Sequence, residues 1–148
     1  MSRPDRLPSD HPSVTTYRAQ VARHGGRRLR LEVPAEIALP TVGEIVRVAL
    51  DGEVRFARVD ASAAGEGYWL TGVYDSPTTA RDPSALTAPD RLGPWLRAHG
   101  RTAGQSVELD VIEPDYCIGV REPGERLVYP AVDKPSSSLA DIANKLYE

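Results

Sequence analysis

The sequence predicts a mainly β fold with two helices: a seven-stranded pseudobarrel followed by a C-terminal helix. Short runs that alternate polar and apolar residues recur between residues 14 and 132, each closed by glycine, proline or aspartate. One interior stretch, 91–99, abandons that period and spaces its apolar residues as a helix does. Strands in series around a single interior helix do not make the alternating units of a parallel sheet, so a small barrel is expected.

A chain of 148 residues suffices for one such domain with tails. Residues 1–13 carry Pro4, Pro8 and Pro12 and little apolar content, and read as a flexible N-terminal arm. The pseudobarrel occupies 14–132. Its first two strands flank Gly25-Gly26. Tyr17, Ala19 and Val21 face one way against Thr16, Arg18 and Gln20; Leu29, Leu31 and Val33 oppose Arg28, Arg30 and Glu32. The glycine pair accepts the positive φ that two-residue hairpin turns require. In 44–50, Val46, Val48 and Leu50 share a face, and Asp51-Gly52 turns the chain into a return strand, 54–61. The inner face of that strand is ambiguous, because Arg58 and Asp60 follow Val54 and Phe56 on one side. Residues 68–74 form the next strand, with Trp69 and Leu70 as core candidates.

Residues 75–90 contain Pro77, Pro83 and Pro89 and no clear period, and read as a long connection. In 91–99, Leu92, Trp95 and Leu96 share one face of a helix, with Pro94 tolerated in the first turn and Gly100 as the stop. Val107, Leu109 and Val111 mark a strand across 106–112 and 116–121 is the seventh, while 125–132 reads as an edge-like extension interrupted at Pro130 and outside that count. Residues 133–138 form a linker. The C-terminal helix, 139–148, carries Leu139, Ile142, Ala143 and Leu146 on one stripe, with Ser138 and Asp141 as a capping-box-like start. So short a helix is not stable alone in water, so its stripe is expected to pack on the barrel or on a partner chain.

Several function classes lack support. No apolar run is long enough to span a bilayer, and 1–10 lack a signal-peptide pattern; a cytoplasmic location is the default expectation. The single cysteine, Cys117, allows no internal disulfide and reads as a small packed residue. His11, His24 and His99 share no ligand-like spacing with one another or with Cys117, and His99 reads as a helix-dipole partner. Glu108, Asp110, Glu113 and Asp115 read as a solvated acidic face. Phosphate-loop, dinucleotide and nucleophile-elbow motifs are missing. No enzyme activity, cofactor or metal is expected.

The net charge is −3, yet the first hairpin gathers dense positive charge: Arg23, His24, Arg27 and Arg28 at its tip, with Arg18 and Arg30 along its strands. A rigid hairpin tipped with arginine suits phosphate. A solvated hairpin whose charges discourage edge aggregation explains the same residues, and on the hairpin alone it is the simpler account. Tyr68, Trp69 and Tyr74 suit either base stacking or a core, with the core favoured.

Residues 92–121 read Leu-x-x-Trp-Leu-x-x-x-Gly-x-x-x-Gly-x-x-Val-x-Leu-x-Val, a turn, then Tyr-x-Ile-x-Val-Arg. This resembles the second half of the B3-type DNA-binding pseudobarrel, and Arg28-Leu-Arg-Leu-Glu-Val-Pro34 resembles its second strand. The resemblance spans roughly residues 15–122. It departs from the family at Gln105, where an aspartate is usual, and in the long connection between Thr71 and Leu92. It implies two DNA-contacting arms, here residues 23–28 and 61–67; the second holds Glu66 and no basic residue. The arginine-rich, lysine-poor usage is also similar to that of small haloarchaeal proteins, which implies no activity.

Together these readings lead to the expectation of a non-enzymatic module that binds nucleic acid through Arg18, Arg23, His24, Arg27, Arg28 and Arg30. The alternative is a protein-interaction or structural domain whose C-terminal helix meets a partner chain.

Overall fold

The computed structural model describes residues 6–130 except 24, 27, 64 and 84–88. The expected linker 133–138 and C-terminal helix 139–148 therefore lie outside the described residues, as do His24 and Arg27.

Among the described residues, ten strands and two helices follow in the order β1 (Arg6–Pro8), β2 (Thr15–Arg23), β3 (Leu29–Val33), β4 (Ile45–Leu50), β5 (Glu53–Arg58), β6 (Asp60–Ala61), β7 (Tyr68–Leu70), α1 (Pro77–Arg81), α2 (Leu92–Ala98), β8 (Ser106–Glu113), β9 (Cys117–Arg121) and β10 (Val128–Pro130). Eight strands make one sheet, ordered β5-β4-β9-β8-β2-β3-β7-β6. Its two edge strands, β5 and β6, are consecutive in the chain and separated by Val59 alone. One bent segment thus pairs with β4 along its first half and with β7 along its second, which curls the sheet into a nearly closed barrel. The expected return strand 54–61 is this segment, divided in two. The pairings are antiparallel except β4 with β9.

The inward faces follow the alternation. Ala19 and Val21, Leu31 and Val33, Val46 and Val48, Val107 and Leu109, and Ile118 and Val120 are all buried in one cluster. The ambiguous β5–β6 segment turns Ala57 and Val59 inward and leaves Phe56 on the outer face, under the Arg47 guanidinium. Helix α2 plugs one end of the barrel with Leu92, Trp95 and Leu96. Asp90 accepts the Leu92 and Gly93 N–H groups and so satisfies the helix start.

Four expectations are corrected. Residues 75–90 are not wholly irregular: Ser76 caps α1 through the Thr79 N–H (3.2 Å) and Pro77 opens it. Trp69 is not core. It pairs with Glu32 in register and shares that residue's outward face, whereas its neighbour Leu70 points inward opposite Leu31. The last strand leaves the barrel, as β10 pairs with β1 in a two-stranded ribbon. That ribbon also claims part of the expected flexible arm. Leu7 is buried in a second cluster with Ala49, Ile112, Cys117 and Tyr129, on the outer side of the barrel wall. Tyr129 lies so close over Gly119 that a β-carbon there would meet the ring at 2.3 Å, which explains a glycine in mid-strand.

Candidate nucleic-acid interface

The β2–β3 hairpin has a longer tip than a two-residue turn would give. Pairing stops at Arg23 opposite Leu29, leaving residues 24–28 as the tip. Gly25 and Gly26 both take left-handed backbone (φ 64° and 59°), which side chains disfavour, and the Arg28 N–H donates to the Gly25 carbonyl at 3.2 Å.

The structure divides the predicted binding residues. Arg23 and Arg28 are exposed at the tip. The Tyr74 hydroxyl has its pKa raised, chiefly by burial and then by the Asp90 carboxylate, with Arg28 opposing the shift. Arg18 is exposed further down β2, directly across from Glu108 on β8. Arg30 is committed to the fold. Its guanidinium lies 3.7 Å over the Trp69 ring, donates to the Arg23 carbonyl at 2.9 Å and pairs with Glu32 at 2.9 Å. Arg30 therefore braces the hairpin, and it covers the ring that a base would have stacked on.

Sequence reasoning missed the neighbours of the tip. The last turn of α2 and the segment after it rise beside β2, fixed by the Gly104 N–H donating to the Val21 carbonyl and the Val21 N–H to the Gln105 carbonyl, both 2.8 Å. Between this segment and the tip lies a cleft of about 560 Å³, lined by Arg23, Gly26, Leu29, Arg97, Thr102 and Ala103. Its one legible signal is that Arg97 and Arg101 fall four residues apart at the end of the helix. The approach of Arg97 to Arg23 across the cleft is a tertiary fact.

The tip end mixes arginines with the acids Asp51, Glu53 and Glu122, whereas the connections of the opposite end are acidic alone. Strand directions place the tip, α2 and the segment 100–105 at one end, and the connections 34–44, 59–67 and 113–117 at the other. Those three connections carry Glu36, Glu44, Asp60, Glu66, Glu113 and Asp115, with no lysine or arginine. The loop 61–67, the second arm implied by the B3-type resemblance, stands at this acidic end: it follows the strand pairing past Val33, away from the tip. The two implied arms therefore do not converge.

Two other polar clusters are structural. Asp110, expected on a solvated face, is fully buried and accepts hydrogen bonds from Arg121 (2.7 Å), Thr16 (2.6 Å) and the Tyr129 hydroxyl. The ribbon that carries Tyr129 shuts it from water. His99 stacks on Trp95 at 4.1 Å, with Nδ1 2.9 Å from Glu122 and Nε2 3.6 Å from Asp51. Its pKa is raised, mainly by the hydrogen bond to Glu122. Among the described residues, no three or more His, Cys, Asp or Glu side chains are grouped to hold a metal ion, and no helix is long and apolar enough to cross a membrane.

Fold and site together define a small β-barrel module, plugged by a helix, with an arginine-bearing cleft at the plugged end. The chain belongs to a family of unknown function (DUF7112), whose profile matches residues 3–146. Comparison with curated proteins and with solved structures yields no match.

Proposed function

We propose that the protein is a non-enzymatic module that binds the phosphate backbone of nucleic acid with the tip end of its barrel. The observation that carries this reading is the pair of exposed arginines at the hairpin tip. Exposed Arg23 and Arg28 stand at the tip, on an end that also carries Asp51, Glu53 and Glu122, and acids alone stand in the described connections of the other. A polyanion finds arginine at the tip and only acids in the connections of the other end, whatever the net charge of −3. Arg27 and His24 extend the same tip in sequence. Arg30 and Trp69 serve as its brace, and Arg18, facing Glu108, contributes less than its place in the sequence implies. Of the two arms that the B3-type resemblance implies, only the first, residues 23–28, serves this binding; the second, 61–67, stands at the acidic end.

The test is fluorescence anisotropy with random-sequence DNA and RNA. Joint replacement of Arg23, Arg27 and Arg28 by alanine should weaken binding to every sequence alike, because phosphate contacts carry no sequence information. Joint Glu36→Gln, Glu44→Gln and Glu66→Gln, at the far end, should leave the tip's contribution intact. A folded wild-type protein that binds neither nucleic acid would end this reading and favour a protein-interaction domain.

A further inference from the structure

Resting on that reading, we infer that the cleft beside the tip receives one unpaired base of a single-stranded nucleic acid, with the flanking phosphates against Arg23 and Arg97. A volume of about 560 Å³ falls in the range of small-ligand sites and holds one nucleotide, whereas stacked base pairs cannot enter it. The lining suits a flat ring. Leu29 and Ala103 supply apolar contact, Gly26 leaves the tip wall without a side chain, and the Thr102 hydroxyl offers a donor and acceptor to a base edge.

Arginine stands on both walls, Arg23 from β2 and Arg97 from α2. A guanidinium plane can stack on a base or take a phosphate, and single strands are commonly held by that combination. Arg97 and the Asp90 carboxylate both lie close beside Gly93. Both walls are built before any ligand arrives. Arg30 ties the tip wall through the Arg23 carbonyl, and the Gly104–Val21 and Arg101–Leu96 backbone bonds tie the other. A duplex, with its bases turned inward, would meet the tip arginines and leave the cleft unused.

The experiment compares a labelled mixed-sequence single strand of about twelve nucleotides with its own duplex, on the full-length protein and on Ala103→Leu. Ala103 is exposed, so the larger side chain fills the cleft without entering the core. The expected result is single-strand binding about tenfold tighter than duplex binding, the order of one stacked base. Ala103→Leu should abolish that advantage and leave duplex binding unchanged. Thr102→Ile serves as a second filling variant should circular dichroism show the first misfolded. Equal affinity for strand and duplex, or equal weakening of both by the filling variants, would overturn the cleft's role while leaving the tip arginines their own. Loss of all binding in the wild type would overturn both.

Discussion

Single side chains at the plugged end join elements distant in the chain, and His99 is the clearest case. It sits at the end of α2, stacked on Trp95, between Glu122 beyond β9 and Asp51 in the β4–β5 turn. Because its folded pKa is raised above the ordinary value, its stabilising contribution is fully present below the unfolded pKa of about 6.5 and is lost as pH rises through the folded one. The melting temperature of His99→Gln should therefore fall furthest below wild type at about pH 5.5, and the gap should narrow at about pH 9. A gap independent of pH would mean that only packing is lost. Trp95 beside it is buried and donates its indole N–H to Asp51 at 2.9 Å, so Trp95→Ala should cost about 3–5 kcal/mol in denaturant unfolding. The helical spacing of Leu92, Trp95 and Leu96 makes the burial of Trp95 legible in the sequence. The clasp around His99 is not, since its acids arrive from Asp51 and Glu122. Asp110 is hidden for the same reason: alternation places it outward, and the tyrosine that buries it lies on a ribbon with no local link to β8. Removing its partner by Arg121→Ala leaves a buried charge uncompensated and should cost about 3–5 kcal/mol, again read by denaturant unfolding.

At the scale of elements, hydrophobic alternation locates β2, β3, β4, β8 and β9 well, since each is long enough for the period to be read. It does less well where a strand is short. In β7 the three residues Tyr68–Leu70 leave the inward face open to a one-residue choice, and Trp69 takes the outer position because Leu70 fills the core opposite Leu31. The ribbon of β1 and β10 shows a different limit. Arg6–Pro8 looks like part of a proline-rich arm until Val128–Pro130 is laid beside it, and no local pattern announces so distant a pairing. The ribbon's weight can be measured. Leu7 is buried in the outer cluster, so Leu7→Ala should destabilise by about 2–5 kcal/mol. An unchanged unfolding midpoint would mean that the ribbon merely lies on the barrel.

For the whole molecule, the closing of the sheet follows from one chain segment serving as both of its edges, and this shape gives the protein two chemically different ends. The arginines and the histidine of the first hairpin are legible in the sequence as a cluster. Their division into a brace, Arg30, and the exposed Arg23 and Arg28 depends on the position of Trp69. The cleft depends on α2 docking beside the tip. Whether the tip holds phosphate is decided by the salt dependence of nucleic-acid affinity, measured on the folded wild type and on the Arg23, Arg27 and Arg28 alanine variant. Each phosphate gripped releases condensed counterions, so wild-type affinity should fall steeply and linearly on logarithmic axes. The variant should show a slope flatter by about one unit for each phosphate it no longer grips. Binding by the wild type with the same slope as the variant would contradict the account, because the tip would then not be where the phosphates are held.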